Sequence, residues 1–172
     1  ATHEAGHALI AAHCESADPV HKISILPAGR ALGVTQQLPE HERHLYSENY
    51  LYDTLAVQLG GRAAELEVFG QASTGAADDL ANATRIAVKM VREYGLSETM
   101  GPVGYPGGGP LFLQEERLVE SRPFADETQR QVDREVSRIV AEAQARAIET
   151  LRAHRAELDE LVRQLLEHET LD

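Results

Sequence analysis

A mainly α-helical fold with one small β-hairpin or sheet is predicted by three features of the sequence. Apolar residues recur at helical spacing after Ser47, Thr74 and Asp126, an alternating stretch follows the Pro27–Arg30 turn, and glycine and proline crowd into one late segment. With 172 residues, 42% of them hydrophobic, the chain has material for one core and little for two, so one domain over 1–172 is expected.

Ala1 to about Glu15 is rich in Ala, His and Leu and lacks Pro, which reads as a helix stopped by Ser16-Ala17-Asp18-Pro19. Val20–Leu26 and Ala31–Leu38 flank Pro27-Ala28-Gly29-Arg30 and form the hairpin, its register set by Leu32 and Val34. Leu51, Leu55 and Leu59 define a helix with Ser47 as N-cap, running into Gly60-Gly61 and beyond. Another helix covers about Ala76 to Tyr94 and is closed by Gly95. Eight of the ten positions from Gly101 to Pro110 are Gly or Pro, so a long, lid-like loop is expected to about Pro123. Asp126 then caps a helix carrying Val132, Val136, Ile139, Val140, Ala143, Ala147 and Leu151, and a last amphipathic helix carries Leu158, Leu161, Val162, Leu165 and Leu166.

Charge narrows the function. Lys and Arg number 16 against 28 Asp and Glu, a net −12, which argues against the phosphate-neutralising surface of a nucleic-acid binder. The longest apolar run, Ala8 to Ala12, is far shorter than the roughly 20 residues of a membrane span. The single cysteine, Cys14, excludes an internal disulfide and is expected as a small buried hydrophobe.

The chemistry is carried by His3-Glu4-Ala5-Gly6-His7, an H-E-x-x-H pattern on a helix. Four residues turn a helix by about 400°, so the two imidazoles fall roughly 40° apart and about 6 Å along the axis, where both reach one Zn²⁺. Glu4 lies on the flank of that face, placed as a general base beside the ion and not as a ligand. With eight His and 20 Glu, chance yields the pattern about 0.04 times in such a chain. A structural zinc site usually closes with four protein ligands, often Cys, whereas two His beside a Glu favour an open, catalytic one.

A third ligand is required. His13 has the spacing of the third metzincin histidine, but Ile10 replaces the turn-forming Gly, so the helix continues and carries His13 about 120° away into solvent. In the helix after Thr74-Gly75, Asp79 shares the apolar face of Ala83, Ile86, Ala87 and Met90, while Asp78, Asn82, Arg85 and Lys89 form the polar face. An inward carboxylate wants a cation or N–H donors, which favours Asp79, although acidic residues also complement helix N-termini. Glu65 is the rival. In an unbroken helix through Gly60-Gly61 it shares a face with Gln58 and not with Leu55, which weakens its claim.

HEAGHAL at 3–9, HKISILPAGRALGVT at 21–35, LGGRAAE at 59–65, STGAADDLANAT at 73–84 and ADETQRQVDREV at 125–136 together resemble the peptidase domain of the FtsH family of ATP-dependent zinc metalloproteases, over nearly the whole chain. The resemblance implies His3, His7 and Asp79 as zinc ligands, Glu4 as the catalytic glutamate and Glu65 as a neighbour that orients a histidine. It implies that Gly33, Val34 and Thr35 belong to an edge strand beside which unfolded polypeptide lies; such an edge reads backbone with little sequence demand. One Zn²⁺ per chain, a homo-hexamer, and a place at the cytoplasmic face of a bacterial inner membrane follow from the same resemblance. No G-x-x-x-x-G-K-[ST] phosphate loop occurs, so ATP is expected to act only through an upstream AAA+ module, and the membrane only through an upstream anchor, in a longer protein. Thr2 stands where the family carries a Tyr or similar residue. The rival reading is a zinc-stabilised oligomerisation module without catalysis, which a fourth protein ligand would favour.

Overall fold

The first helix, α1 (Thr2–Ala12), is buried on all sides from Ala5 to Ala11 and packs most extensively against the long helix α2 (Glu48–Phe69). The structure, a computed structural model, describes residues 1–27, 33–38, 45–105 and 125–172; the turn of the hairpin, with Leu32, and most of the predicted Gly/Pro loop lie outside these. Between α1 and α2 come β1 (Val20–Ser24) and β2 (Val34–Gln37). After α2 follow a 3₁₀ turn at Thr74–Ala76, α3 (Ala77–Arg92), α4 (Asp126–Ala153), α5 (Arg155–His168) and β3 (Thr170–Leu171).

Helix α2 crosses both halves of the core. Its early residues Leu51, Leu55 and Leu59 pack with Met90 and Val91 of α3 and Val132 and Ile139 of α4. Its later residues Ala56, Ala63 and Ala64 pack with α1 and with Leu151, Leu158 and Leu165 of α4 and α5. Small residues let α1 and α2 approach backbone to backbone: a Cβ on Gly6 would stand 2.3 Å from the Gly60 carbonyl oxygen. This is why α2 runs through its Gly-Gly pair without breaking, a local cost in helix propensity that close packing offsets. Ser47 caps α2 as expected, its side chain accepting from the Tyr50 amide, and Gly70 closes it at φ 71°.

The hairpin forms with the expected antiparallel pairing, Ile23 opposite Thr35 and Ser24 opposite Val34. A third strand, β3, joins the other side of β1 in the order β2-β1-β3, so β2 is an outer strand among the described residues. The faces of β2 are the reverse of those that would let Val34 set the register from within: Val34 is 40% and Leu38 44% exposed, while Gly33 and Thr35 turn toward α1. The inner face of β2 meets the polar flank of α1, where a hydroxyl and a missing side chain fit and a valine does not.

Smaller departures have local causes. Helix α1 ends at Ala12, so His13 is its C-cap and not a further helical residue. Asp126 is the first residue of α4, and Ala125 rather than Asp126 stands at the N-cap position. Cys14 is only partly buried, with the Arg146 guanidinium 3.6 Å from its sulfur. Burial, then the nearby Asp53 carboxylate, push its thiol up to about 11, against the opposing pull of Arg146.

Candidate metal centre

The first turns of α1 carry His3 and His7 one turn apart on the side facing α2, with Glu4 beside them. The start of α3 brings in Asp79, whose helix is held by the burial of Ala83, Ala87 and Met90 on the same face. His3 Nε2 lies 3.0 Å from His7 Nε2 and 3.1 Å from Asp79 Oδ2, and His7 Nε2 lies 3.5 Å from that oxygen. A tetrahedral ion with bonds of roughly 2.0–2.1 Å sets its donors about 3.3–3.4 Å apart, so this triangle has the edge lengths of one coordination sphere.

The other ring nitrogens fix which atoms face inward. His7 Nδ1 lies 2.7 Å from the Val57 carbonyl oxygen, which only accepts, so that nitrogen carries the hydrogen. His3 Nδ1 lies 3.1 Å from Glu65 Oε1 and donates to it likewise. In the neutral rings both Nε2 lone pairs therefore point at each other and at a carboxylate oxygen. Three acceptors so placed repel one another unless protons or a cation stand among them. Two imidazoles and one carboxylate are the donor set of a zinc site with an open position, and the residues present fit that ion.

Electrostatics follow the same contacts. Asp79 raises the pKa of His3, burial opposes this, and Glu65 adds to the rise. Burial pushes Asp79 up, but hydrogen bonds with His3 and His7 outweigh it and hold the carboxyl well below its usual range. Glu65 is likewise low: burial is outweighed by the amide and hydroxyl of Ser73 and by His3.

Glu65 does not join the triangle. One oxygen takes the His3 ring and the Ser73 hydroxyl at 2.8 Å, the other takes the Ser73 amide at 2.6 Å, and Ser73 in turn accepts from the Gly75 amide. A chain of hydrogen bonds thus runs from the α1 imidazole through α2 to the turn that launches α3. Gly61 supplies the remaining wall: a Cβ there would stand 2.6 Å from the Nε2 atoms of His3 and His7.

Glu4 stands apart from the three donors. Its Oε2 accepts from the Thr35 hydroxyl at 2.9 Å, and that hydroxyl is also 3.1 Å from the Glu4 main-chain oxygen. A Cβ on Gly33 would come within 2.8 Å of Glu4 Oε1. A cavity of about 580 Å³ gathers His3, Glu4, His7, Glu65 and Asp79 with Gly33, Val34 and Thr35 of the outer strand.

His13 is absent from the site, as the break in the metzincin pattern predicts; it pairs with Glu157 at 3.0 Å instead. Sequence reasoning missed Val57, Ser73 and Gly61. Val57 acts through its backbone, which no residue type announces. Ser73 carried a signal, since Ser-Thr-Gly-Ala is capping chemistry at a helix entry, and its side chain caps the 3₁₀ turn.

The Peptidase family M41 profile matches residues 1–172. The chain is 57% identical over 172 residues to the ATP-dependent zinc metalloprotease FtsH of Acidothermus cellulolyticus, covering 100% of the chain and 26% of that protein. It is 52% identical over 171 residues to the ATP-dependent zinc metalloprotease FtsH of Acidimicrobium ferrooxidans, with 99% and 26% covered. With the ATP-dependent zinc metalloprotease FtsH 2 of Salinibacter ruber it shares 44% over 170 residues, with 98% and 25% covered. The chain spans about a quarter of the length of these relatives.

Proposed function

Because the chain belongs to peptidase family M41, we propose that it is the zinc endopeptidase unit of a longer ATP-dependent protease, with His3, His7 and Asp79 holding the metal and Glu4 as the base. The observation that carries this reading is the convergence of two imidazole lone pairs and a carboxylate oxygen within 3.5 Å, each imidazole fixed in tautomer by its outer nitrogen. His3, His7 and Asp79 would hold the zinc, which would act there as a Lewis acid toward a water and the scissile carbonyl. Glu4 accepts the proton of the attacking water and returns it to the departing amine, and Thr35 keeps its carboxylate turned toward the cavity. An extended substrate backbone adding to β2 passes Gly33 and Val34 and brings its carbonyl over the site, a mode in which main-chain hydrogen bonds give affinity without side-chain selection.

The substrate class in this reading is unfolded polypeptide, delivered by an attached ATPase in a homo-hexamer at the cytoplasmic face of a membrane. The relatives are named ATP-dependent, which supports the attached ATPase. Among the described residues no helix is long and apolar enough to cross a membrane. A metal with a purely structural role is less well supported, because among the described residues the metal-capable group around His3 contains three side chains and Glu65 is engaged elsewhere.

Glu4→Gln tests the mechanism. It should keep zinc and fold while lowering casein cleavage by the full-length protein by several orders of magnitude. Undiminished cleavage would remove Glu4 as the base.

A further inference from the structure

Two of the proposed zinc ligands, His3 and Asp79, come from different helices, and the groups that support them meet at Ser73. Glu65 lies one turn after Gly61 on α2, beside the His3 ring. It is buried, and its Oε1 accepts from His3 Nδ1 at 3.1 Å. The Ser73 hydroxyl donates to that same Oε1 at 2.8 Å, and the Ser73 amide donates to Oε2 at 2.6 Å. Both carboxylate oxygens are thus gripped from one residue. The last torsion of a glutamate is soft, so a carboxylate held at one end can turn its lone pairs away from a ring nitrogen; held at both ends, it presents a fixed one.

On its other side the Ser73 hydroxyl accepts from the Gly75 amide at 3.2 Å, as the N-cap of the 3₁₀ turn Thr74–Ala76. That turn runs directly into α3, whose first turn carries Asp79. Ala76, the N-cap of α3 itself, makes no side-chain capping bond, so the capping side chain of this entry is the serine three residues upstream. A hydroxyl donates one hydrogen bond and accepts others, so a single oxygen serves both Glu65 and the turn. Ser73 is itself exposed, and packing does not account for a serine there; its two sets of hydrogen bonds do.

We propose that Ser73 is a positioning residue of the metal centre: through Glu65 it sets the His3 ring, and through the Gly75 amide it sets the turn that brings in Asp79. This role rests on the reading of His3, His7 and Asp79 as zinc ligands. Groups that orient metal ligands contribute about 10- to 100-fold in affinity, so the loss of Ser73 should register in zinc binding before it registers in the fold.

Zinc affinity of the full-length protein, measured by competition with a chromophoric chelator, tests this, with far-UV circular dichroism of the zinc-free protein reporting the fold. Ser73→Gly removes the hydroxyl, and glycine replaces serine at a helix N-terminus with little loss. It should lower zinc affinity by about 10- to 100-fold with the dichroism unchanged, and Ser73→Thr, which keeps the hydroxyl, should bind nearly as wild type. Once Glu65→Ala has released His3, adding Ser73→Gly should change affinity little further. Ser73→Ala, a poorer cap, should keep part of its effect beside Glu65→Ala, because the turn before Asp79 is loosened as well. Wild-type affinity in Ser73→Gly, or an equal loss with and without Glu65, would overturn the role given to Ser73 while Asp79→Ala still abolishes binding; no residual loss in Ser73→Ala beside Glu65→Ala would overturn the link to Asp79. Zinc affinity unchanged by Asp79→Ala would instead remove the centre itself, and the role of Ser73 with it.

Discussion

The Thr35 hydroxyl stands 2.9 Å from Glu4 Oε2, so the outer strand proposed to offer backbone to a substrate also holds the carboxylate proposed as the base. In the proposed mechanism, substrate docking and base orientation therefore share one element. A hydrogen bond to a charged group contributes roughly 1.5–3 kcal/mol, which corresponds to about 10- to 100-fold in rate when it acts on the transition state. Thr35→Val should lower kcat by about that factor with a small change in KM, and Thr35→Ser should restore most of it. Steady-state kinetics on an unfolded substrate read this directly, and an unchanged kcat in Thr35→Val would refute the coupling.

Gly61 offers a test that separates the metal site from the fold. In a helix interior Ala is favoured over Gly by roughly 1 kcal/mol, so Gly61→Ala should leave α2 intact or firmer. Its methyl group would nevertheless press on His3 and His7 at 2.6 Å. Zinc affinity should fall at least about 10-fold while far-UV circular dichroism is unchanged, by analogy with the loss caused by disturbing groups that orient ligands. Wild-type affinity in this variant would mean that the rings are not confined as described.

Asp79 and Glu65 should differ in kind. Asp79→Ala removes a donor and should abolish zinc retention at this centre during dialysis. Glu65→Gln removes the charge that orients His3 and should weaken retention by roughly 10- to 100-fold without abolishing it. The reverse ranking in a competition with a zinc chelator would exchange their roles.

Glu135 makes a prediction about acid stability. Its buried carboxylate is held below the ordinary range by Arg138 first, against the effect of burial, with Ser97 and Thr99 adding hydrogen bonds. A folded pKa below the unfolded one means that the contribution is fully present above about pH 4.3 and is lost as pH falls through the folded value. Glu135→Gln should therefore cost about 1–3 kcal/mol at pH 7, and the gap from wild type should narrow below about pH 4. Urea unfolding at both pH values measures it, and a gap of equal size at pH 7 and pH 3 would contradict the assignment.

Much of the site was legible before the fold was known because its parts are local. The spacing of His3 and His7 fixes their shared face once the segment is helical, and the face shared by Asp79, Ala83, Ala87 and Met90 fixes the direction of the carboxylate. The faces of β2 were not legible. Alternation separates Val34 from Thr35 but does not say which side meets α1, and the apolar side turned outward because the inner neighbour is a carboxylate.

The sequence by itself determined the helices, the hairpin pairing and the chemistry of the H-E-x-x-H helix, since each depends on residues within a few turns of one another. Tertiary structure alone decided the distances among His3, His7 and Asp79, the close approach of Gly6 to Gly60, the grip of Val57 and Glu65 on the outer ring nitrogens, and the meeting of His13 with His154. Those depend on how helices cross, which is set by the shape of two packed surfaces at once and is written in neither segment separately.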